Sequence, residues 1–284
     1  KWHAAPILNT KHRFSLDNTV YGNRAIAVSV SPDGKYLLTR YWDNHSLKRS
    51  RTYCELTELK TGKVLLTNLR DGMRWMPKSN KLYYTVVAPE GNDVITLDPV
   101  TLKEEVLLRG IPEQGFSWSP NEDFLIYYPR EEGVKDEGPL KRIVSPADRI
   151  PDTRGRSFLA RYDIASGTSE RLTYGNHSTY MQDISPDGKY LAFTLQEYGG
   201  FGVWHKDAEL YMIRLSDGKT YPLSEANSAE GESYHSWSHN NRWLVFSSRR
   251  LDGLYTRPFF TYIDDKGTAH KPFLLPQKKS RKIL

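Results

Sequence analysis

Five stretches of the chain share one spacing, and that spacing limits the possible folds more than any other feature. They are "VSPDGKYLLT" from Val30, "WMPKSNKLYY" from Trp75, "WSPNEDFLIY" from Trp118, "ISPDGKYLAF" from Ile184 and "WSHNNRWLVF" from Trp237. Aligned on Pro32, Pro77, Pro120, Pro186 and His239, each has leucine five residues on: Leu37, Leu82, Leu125, Leu191 and Leu244. An apolar residue always stands two places before the alignment point. The fourth place after it is aromatic in four copies (Tyr36, Phe124, Tyr190, Trp243) and Lys81 in the other. Proline holds φ for a turn, while Asp-Gly or Asn-rich residues tolerate left-handed backbone, so each copy reads as a β-hairpin with apolar flanks.

A second hairpin follows each first one, around Gly62, Leu102, Gly167, Gly218 and Gly267. Each unit therefore supplies four strands. A four-stranded sheet has two faces to hide and cannot hide both alone; stacking such sheets radially does so. The prediction is an all-β chain, a β-propeller of four-stranded antiparallel blades, five recognised and six possible. The expected blades are about 25–70, 71–112, 113–176, 177–230 and 231–277, after an N-terminal segment 1–24, a candidate ring-closing strand, and before a basic tail 278–284. The 18 Tyr, 10 Phe and 7 Trp against 4 Met fit strands better than helix bundles.

The formal charge of +6 falls to +2 without Lys278, Lys279, Arg281 and Lys282, so no nucleic-acid partner is expected. Cys54, the single cysteine, has no second thiol for a disulfide or zinc site and reads as a strand residue. No apolar run approaches the ~18 residues of a membrane helix. The chain opens on Lys1 without an apolar signal core, which leaves export unread.

Successive copies lie 45, 43, 66 and 53 residues apart. The longest interval holds residues 129–156, between the second and third strands of its blade. Other long connections, "WDNHSLKRSR", "QEYGGFGVWHKDA" and "RRLDGLYTR", occupy the same address in their blades. Loops of one address emerge at one end, opposite the tight turns, and that end is expected to carry binding residues.

The SPDG-plus-hydrophobic unit resembles the TolB-type, WD-like propeller repeat of Bacteroidetes proteins from about residue 25 onward. Residues 28–195 also resemble the propeller of prolyl oligopeptidase-family peptidases, and residues 204–277 resemble TolB-family propellers. The resemblance implies a periplasmic or cell-surface setting. In the peptidases it implies a propeller that gates a serine hydrolase domain with a G-x-S-x-G elbow. Here the nearest string is "GFSWS" at Gly115–Ser119, which lacks the second glycine, so no catalytic residue is carried over.

His235 and His239 are four apart, a spacing that shares a metal on a helix but spans about 13 Å on a strand. No metal site and no cofactor are expected. His235, at the mouth of a first strand, and His177 with Tyr180, read as holding the matching place in "YGNHSTYMQDISP", are candidates for ligand contact near the channel; the competing reading is a bond to neighbouring backbone. Trp204, His205 and Lys206 in one loop, and Arg249, Arg250, Asp252, Tyr255 and Arg257 in the next, suit a peptide, glycan or protein ligand or else brace their loops. Glu131, Glu132, Asp136 and Glu137 read as a solvated acidic stretch. The expected function is a non-catalytic propeller, a monomer or part of a larger chain, binding a peptide, glycan or protein through its loop-rich face. The alternative is the gating propeller of a peptidase, and a third reading is a propeller lyase or glycosidase.

Overall fold

The computed structural model describes residues 23–43, 51–111, 115–131, 155–175, 177–199 and 202–274. The N-terminal segment as far as residue 22, most of the 129–156 insertion with Glu132, Asp136 and Glu137, and the basic tail lie outside them. The fold is all-β, with five four-stranded antiparallel sheets in which strands follow one another in chain order. This is the blade architecture of a β-propeller.

The chain divides into two compact units, Lys1–Gln114 and Gly115–Leu284. The first holds two blades: β1 (Asn23–Val30), β2 (Tyr36–Asp43), β3 (Arg51–Glu58) and β4 (Val64–Leu69), then β5 (Arg74–Trp75), β6 (Leu82–Ala88), β7 (Gly91–Leu97) and β8 (Glu104–Ile111). The second holds three. Its first blade is β9 (Phe116–Trp118), β10 (Phe124–Tyr127), β11 (Ala160–Asp163) and β12 (Thr168–Arg171). The next is β13 (Ser178–Ile184), β14 (Tyr190–Gln196), β15 (Glu209–Arg214) and β16 (Lys219–Pro222). The last is β17 (Glu232–Trp237), β18 (Trp243–Ser248), β19 (Arg257–Tyr262) and β20 (Phe273–Leu274). Among the described residues, no helix is long and apolar enough to cross a membrane.

The serine of the repeated turn has a definite job. Ser185 Oγ accepts the Tyr190 N–H at 3.0 Å and donates to Asp187 at 2.7 Å, fastening the turn across its mouth. Ser31, Ser119 and Ser238 do the same for Tyr36, Phe124 and Trp243. Met76 takes the serine's place in the second copy, where the backbone bond from Met76 N to the Lys81 carbonyl is kept and Ser79 Oγ donates to Met76 Sδ at 3.5 Å. In the second hairpins, Gly62, Leu102, Gly167, Gly218 and Gly267 all adopt positive φ, which only Leu102 does at steric cost.

Both faces of a blade are buried, as alternation along β14 shows. Leu191 and Phe193 point into a core shared with Phe124, Ile126 and Leu159 of the preceding blade. Tyr190 and Ala192 point the other way, into a core with Leu244, Phe246 and Phe259 of the following one. In the first unit Leu38, Cys54 and Leu56 meet Met73, Leu82 and Leu97. All five repeat leucines are 5% exposed or less, worth roughly 2 kcal/mol each in apolar burial.

Directional bonds join neighbouring blades at repeating positions. Trp75 Nε1 donates to the Ser29 carbonyl at 3.3 Å, and Trp237 Nε1 to the Asp183 carbonyl at 3.2 Å. Asn80 Oδ1 accepts from Asp33 N, and Asn241 Oδ1 from Asp187 N.

Candidate functional site

In the second unit, three connections meet at the end of the sheets opposite the serine turns, through residues 197–199 with 202–208, 223–231 and 249–256. Close approach of backbone makes this assembly possible. A Cβ at Gly231 would lie 2.1 Å from the His205 carbonyl, and one at Gly202 would lie 2.1 Å from the Tyr180 hydroxyl. Lys206 pairs with Glu230 at 3.2 Å, tying the first connection to the second.

The hub is Glu232, a residue the sequence reading passed over. Its side chain is fully buried and accepts from Ser228 N (3.0 Å), Ser228 Oγ (2.6 Å), Ser248 Oγ (2.8 Å) and Arg250 Nη2 (3.0 Å). Arg250 also donates to Ser248 Oγ and the Ala226 carbonyl, and its guanidinium lies 4.7 Å from the Phe259 ring. Burial holds its pKa below the ordinary arginine value against the pull of Glu232. A buried carboxylate needs this many partners to persist as an ion. Its only sequence signal is a glutamate at the opening of a first strand.

The other predicted residues fall into enclosed and displayed groups. Arg257 pairs with Asp252 at 2.7 Å, and that partner, with the backbone N–H groups of Tyr255 and Leu254, holds the Asp252 carboxyl well below the usual range. Arg249 is buried, with Nε 3.5 Å from Thr256 Oγ1. His205 is buried edge-on to Tyr198, with Nδ1 3.8 Å from Asp207. Trp204 closes a 3-10 turn, Gly202–Trp204. Tyr180 is 7% exposed beneath Gly202. The guanidinium groups expected to face a ligand thus spend their bonds inside the protein. Tyr255 remains displayed, 67% exposed, beside Leu251 at 59% and Leu254 at 57%, which the sequence reading did not single out.

His235 is enclosed on β17 rather than presented at a channel mouth, and burial drives its pKa down to about 4. Neither ring nitrogen completes a well-formed hydrogen bond; the Ala192 backbone only offsets part of the burial effect. His177 is not its counterpart. β13 and β17 each carry a bulge with one left-handed residue, Met181 (φ 55°) and Tyr234 (φ 50°), and aligning these sets Gln182 against His235. Gln182 Nε2 donates to the Ile126 carbonyl at 3.0 Å, the position matching Ala192 one blade earlier. The same pairing follows from the turn, since Gln182 and His235 each stand four residues before the alignment positions Pro186 and His239.

His177 is exposed and stands instead at the rim of a cleft of about 410 Å³ between the unit's first two blades. Its apolar lining is Phe158, Leu172, Phe193 and Leu195. On one wall the Arg171 guanidinium lies 4.1 Å from the Phe158 ring and 5.1 Å from the Tyr174 ring.

No family model and no curated protein matches the chain. Among solved structures it is similar to TolB from Acinetobacter baumannii, with a TM-score of 0.51 and 15% identity over 88% of this chain and 57% of that one. An oligogalacturonate lyase in complex with manganese gives 0.56 and 17% over 84% of this chain and 61% of that one. The acylaminoacyl peptidase of Pyrococcus horikoshii gives 0.55 and 9% over 88% and 39%. The chain thus spans less than two thirds of each of these proteins. At such identities the likeness is one of fold, and it places this chain among the β-propellers that include TolB and the propeller domains of prolyl oligopeptidase-family proteins.

Proposed function

We propose that this chain is a non-catalytic, TolB-like binding propeller that holds a protein or peptide through its loop-rich end, in a periplasmic setting. The observation that carries the reading is the 249–257 loop. Asp252 accepts from Leu254 N, Tyr255 N and Arg257, so the loop is fixed before any partner arrives. Its charges are spent internally, while Leu251, Leu254 and Tyr255 stand in water. A glycan or an anion needs polar groups with unspent bonds; an apolar triad on a rigid loop suits a protein surface. Likeness to TolB supports the propeller part of this reading.

Selecting displayed random peptides on the purified chain, then titrating the selected sequences, tests it. Leu251→Asp and Tyr255→Asp are each expected to weaken binding at least about tenfold with the melting temperature unchanged. Selected peptides that bind both variants as tightly as the parent would refute this assignment.

A further inference from the structure

The cleft between the unit's first two blades plays no part in that reading, and its chemistry is different. Its deep polar groups are already matched. Thr173 Oγ1 and Thr179 Oγ1 lie 3.1 Å apart; Thr173 Oγ1 also accepts Leu159 N, and Thr179 Oγ1 donates to the Ser157 carbonyl. Arg171 donates to the Thr173 carbonyl at 2.7 Å and to Glu131 at 3.0 Å. A ligand that carried a carboxylate or a ring of hydroxyls to the floor would find no free partner there, and would lose its hydration without return.

What the cleft offers is apolar and flat. Phe193 and Phe158 contribute rings, Leu172 and Leu195 fill between them, and the Arg171 guanidinium braces Tyr174 over one side. The Tyr174 hydroxyl donates back to the Arg171 carbonyl at 3.2 Å, so this ring is held although it is 76% exposed. A held wall lowers the ordering cost of binding. The volume sits at the small end of ligand sites, too little for a helix or a strand of a partner and enough for one ring system. His177 and Thr220 at the rim leave polar contacts for whatever bears the ring.

We propose that this cleft is a binding site for a single uncharged aromatic ring system of indole or phenol size, delivered either as a small molecule or as the side chain of a peptide. It stands independently of the 249–257 loop.

Ligand-observed NMR titration of the full chain with indole, with the capped tripeptide Ac-Gly-Trp-Gly-NH2 and with methyl galactoside tests it. Saturable binding of indole and tripeptide is expected, and none of the galactoside; binding of the tripeptide alone would identify the source as a peptide side chain. Tyr174→Ala removes the wall and Thr220→Trp fills the mouth from an edge strand; each is expected to weaken binding at least about tenfold. Both positions are exposed, so the melting temperature should hold, and if one variant fails to fold the other still decides. No saturable binding of either aromatic probe at millimolar concentration, binding indifferent to both folded variants, or preference for the galactoside would overturn the proposal.

Discussion

β13 and β17 are one strand written twice, with the same bulge, the same left-handed residue and the same place in neighbouring blades. Their polar contents differ at every matching position. Thr179 in β13 closes its end with neutral bonds to Ser157 and Thr173, where β17 has the hub Glu232 in contact with Arg250. Gln182 reaches the Ile126 carbonyl, where His235 completes no well-formed bond. Asp183, half of the Trp237 contact, faces a position that in β17 is Ser236. The lesson is that backbone geometry in a repeat is set by turns and bulges, while each copy is free to solve its own polar demands.

The largest break in this comparison comes from the hubs. Glu232→Ala leaves the partly buried Arg250 without its charge partner and empties a fully buried site, and is expected to cost roughly 3 kcal/mol. Thr179→Ala, at the matching place, removes only neutral bonds and is expected to cost about 1 kcal/mol. Urea unfolding of both variants checks the ratio, and equal losses would mean that the ion pair adds nothing beyond its hydrogen bonds.

Next comes pH. Asp183 accepts from Trp237 N at 3.1 Å, and burial raises its pKa from 3.8 to about 6. The folded chain holds that proton more tightly than the unfolded one, so the contribution of Asp183 to stability falls as pH rises through the window from about 4 to about 6. His235 has the opposite sign: with a folded pKa near 4 against 6.5, stability is lost as pH falls from 6.5 toward 4. Each shift is worth about 3 kcal/mol, and over their shared window the two slopes oppose each other. Asp183→Asn is expected to uncover the His235 slope, leaving a protein that weakens on acidification. His235→Gln is expected to uncover the reverse slope. Stability measured by urea at pH 4, 5, 6 and 7 for the parent and both variants decides the matter; identical slopes in all three would sink the assignment.

At fixed neutral pH, His235→Gln is also expected to stabilise by about 1 kcal/mol, because the amide can reach Ala192 as Gln182 reaches Ile126. The smallest effect belongs to the bulge. Tyr234→Gly relieves a left-handed residue but adds unfolded-state entropy, for a net gain of at most about 1 kcal/mol in a thermal melt.

Much of the fold was legible. Ser185 with Asp187 and Gly188 is a turn by local chemistry, and the five leucines at fixed distance from such turns mark a buried period. The candidate sites were less so. Arg250 and Arg257 are the residue types that meet ligands, yet their partners Glu232 and Asp252 decide that they brace the protein, and Glu232 lies 18 residues from Arg250 in sequence. Leu251 and Leu254 carry no motif; only their exposure sets them apart. The bulge residues Met181 and Tyr234 have none of the Gly or Asn character that announces positive φ, so the bulges themselves were hidden, although the turn spacing already pairs Gln182 with His235.

The amino-acid order alone determined the repeat, the hairpins and the two-sided burial of each sheet, because turns and alternation act between residues close in the chain. Which charges are spent, which rings stand in water and where a cleft opens were decided only when strands and loops came together in three dimensions. Those properties depend on distances between strands that no local spacing encodes.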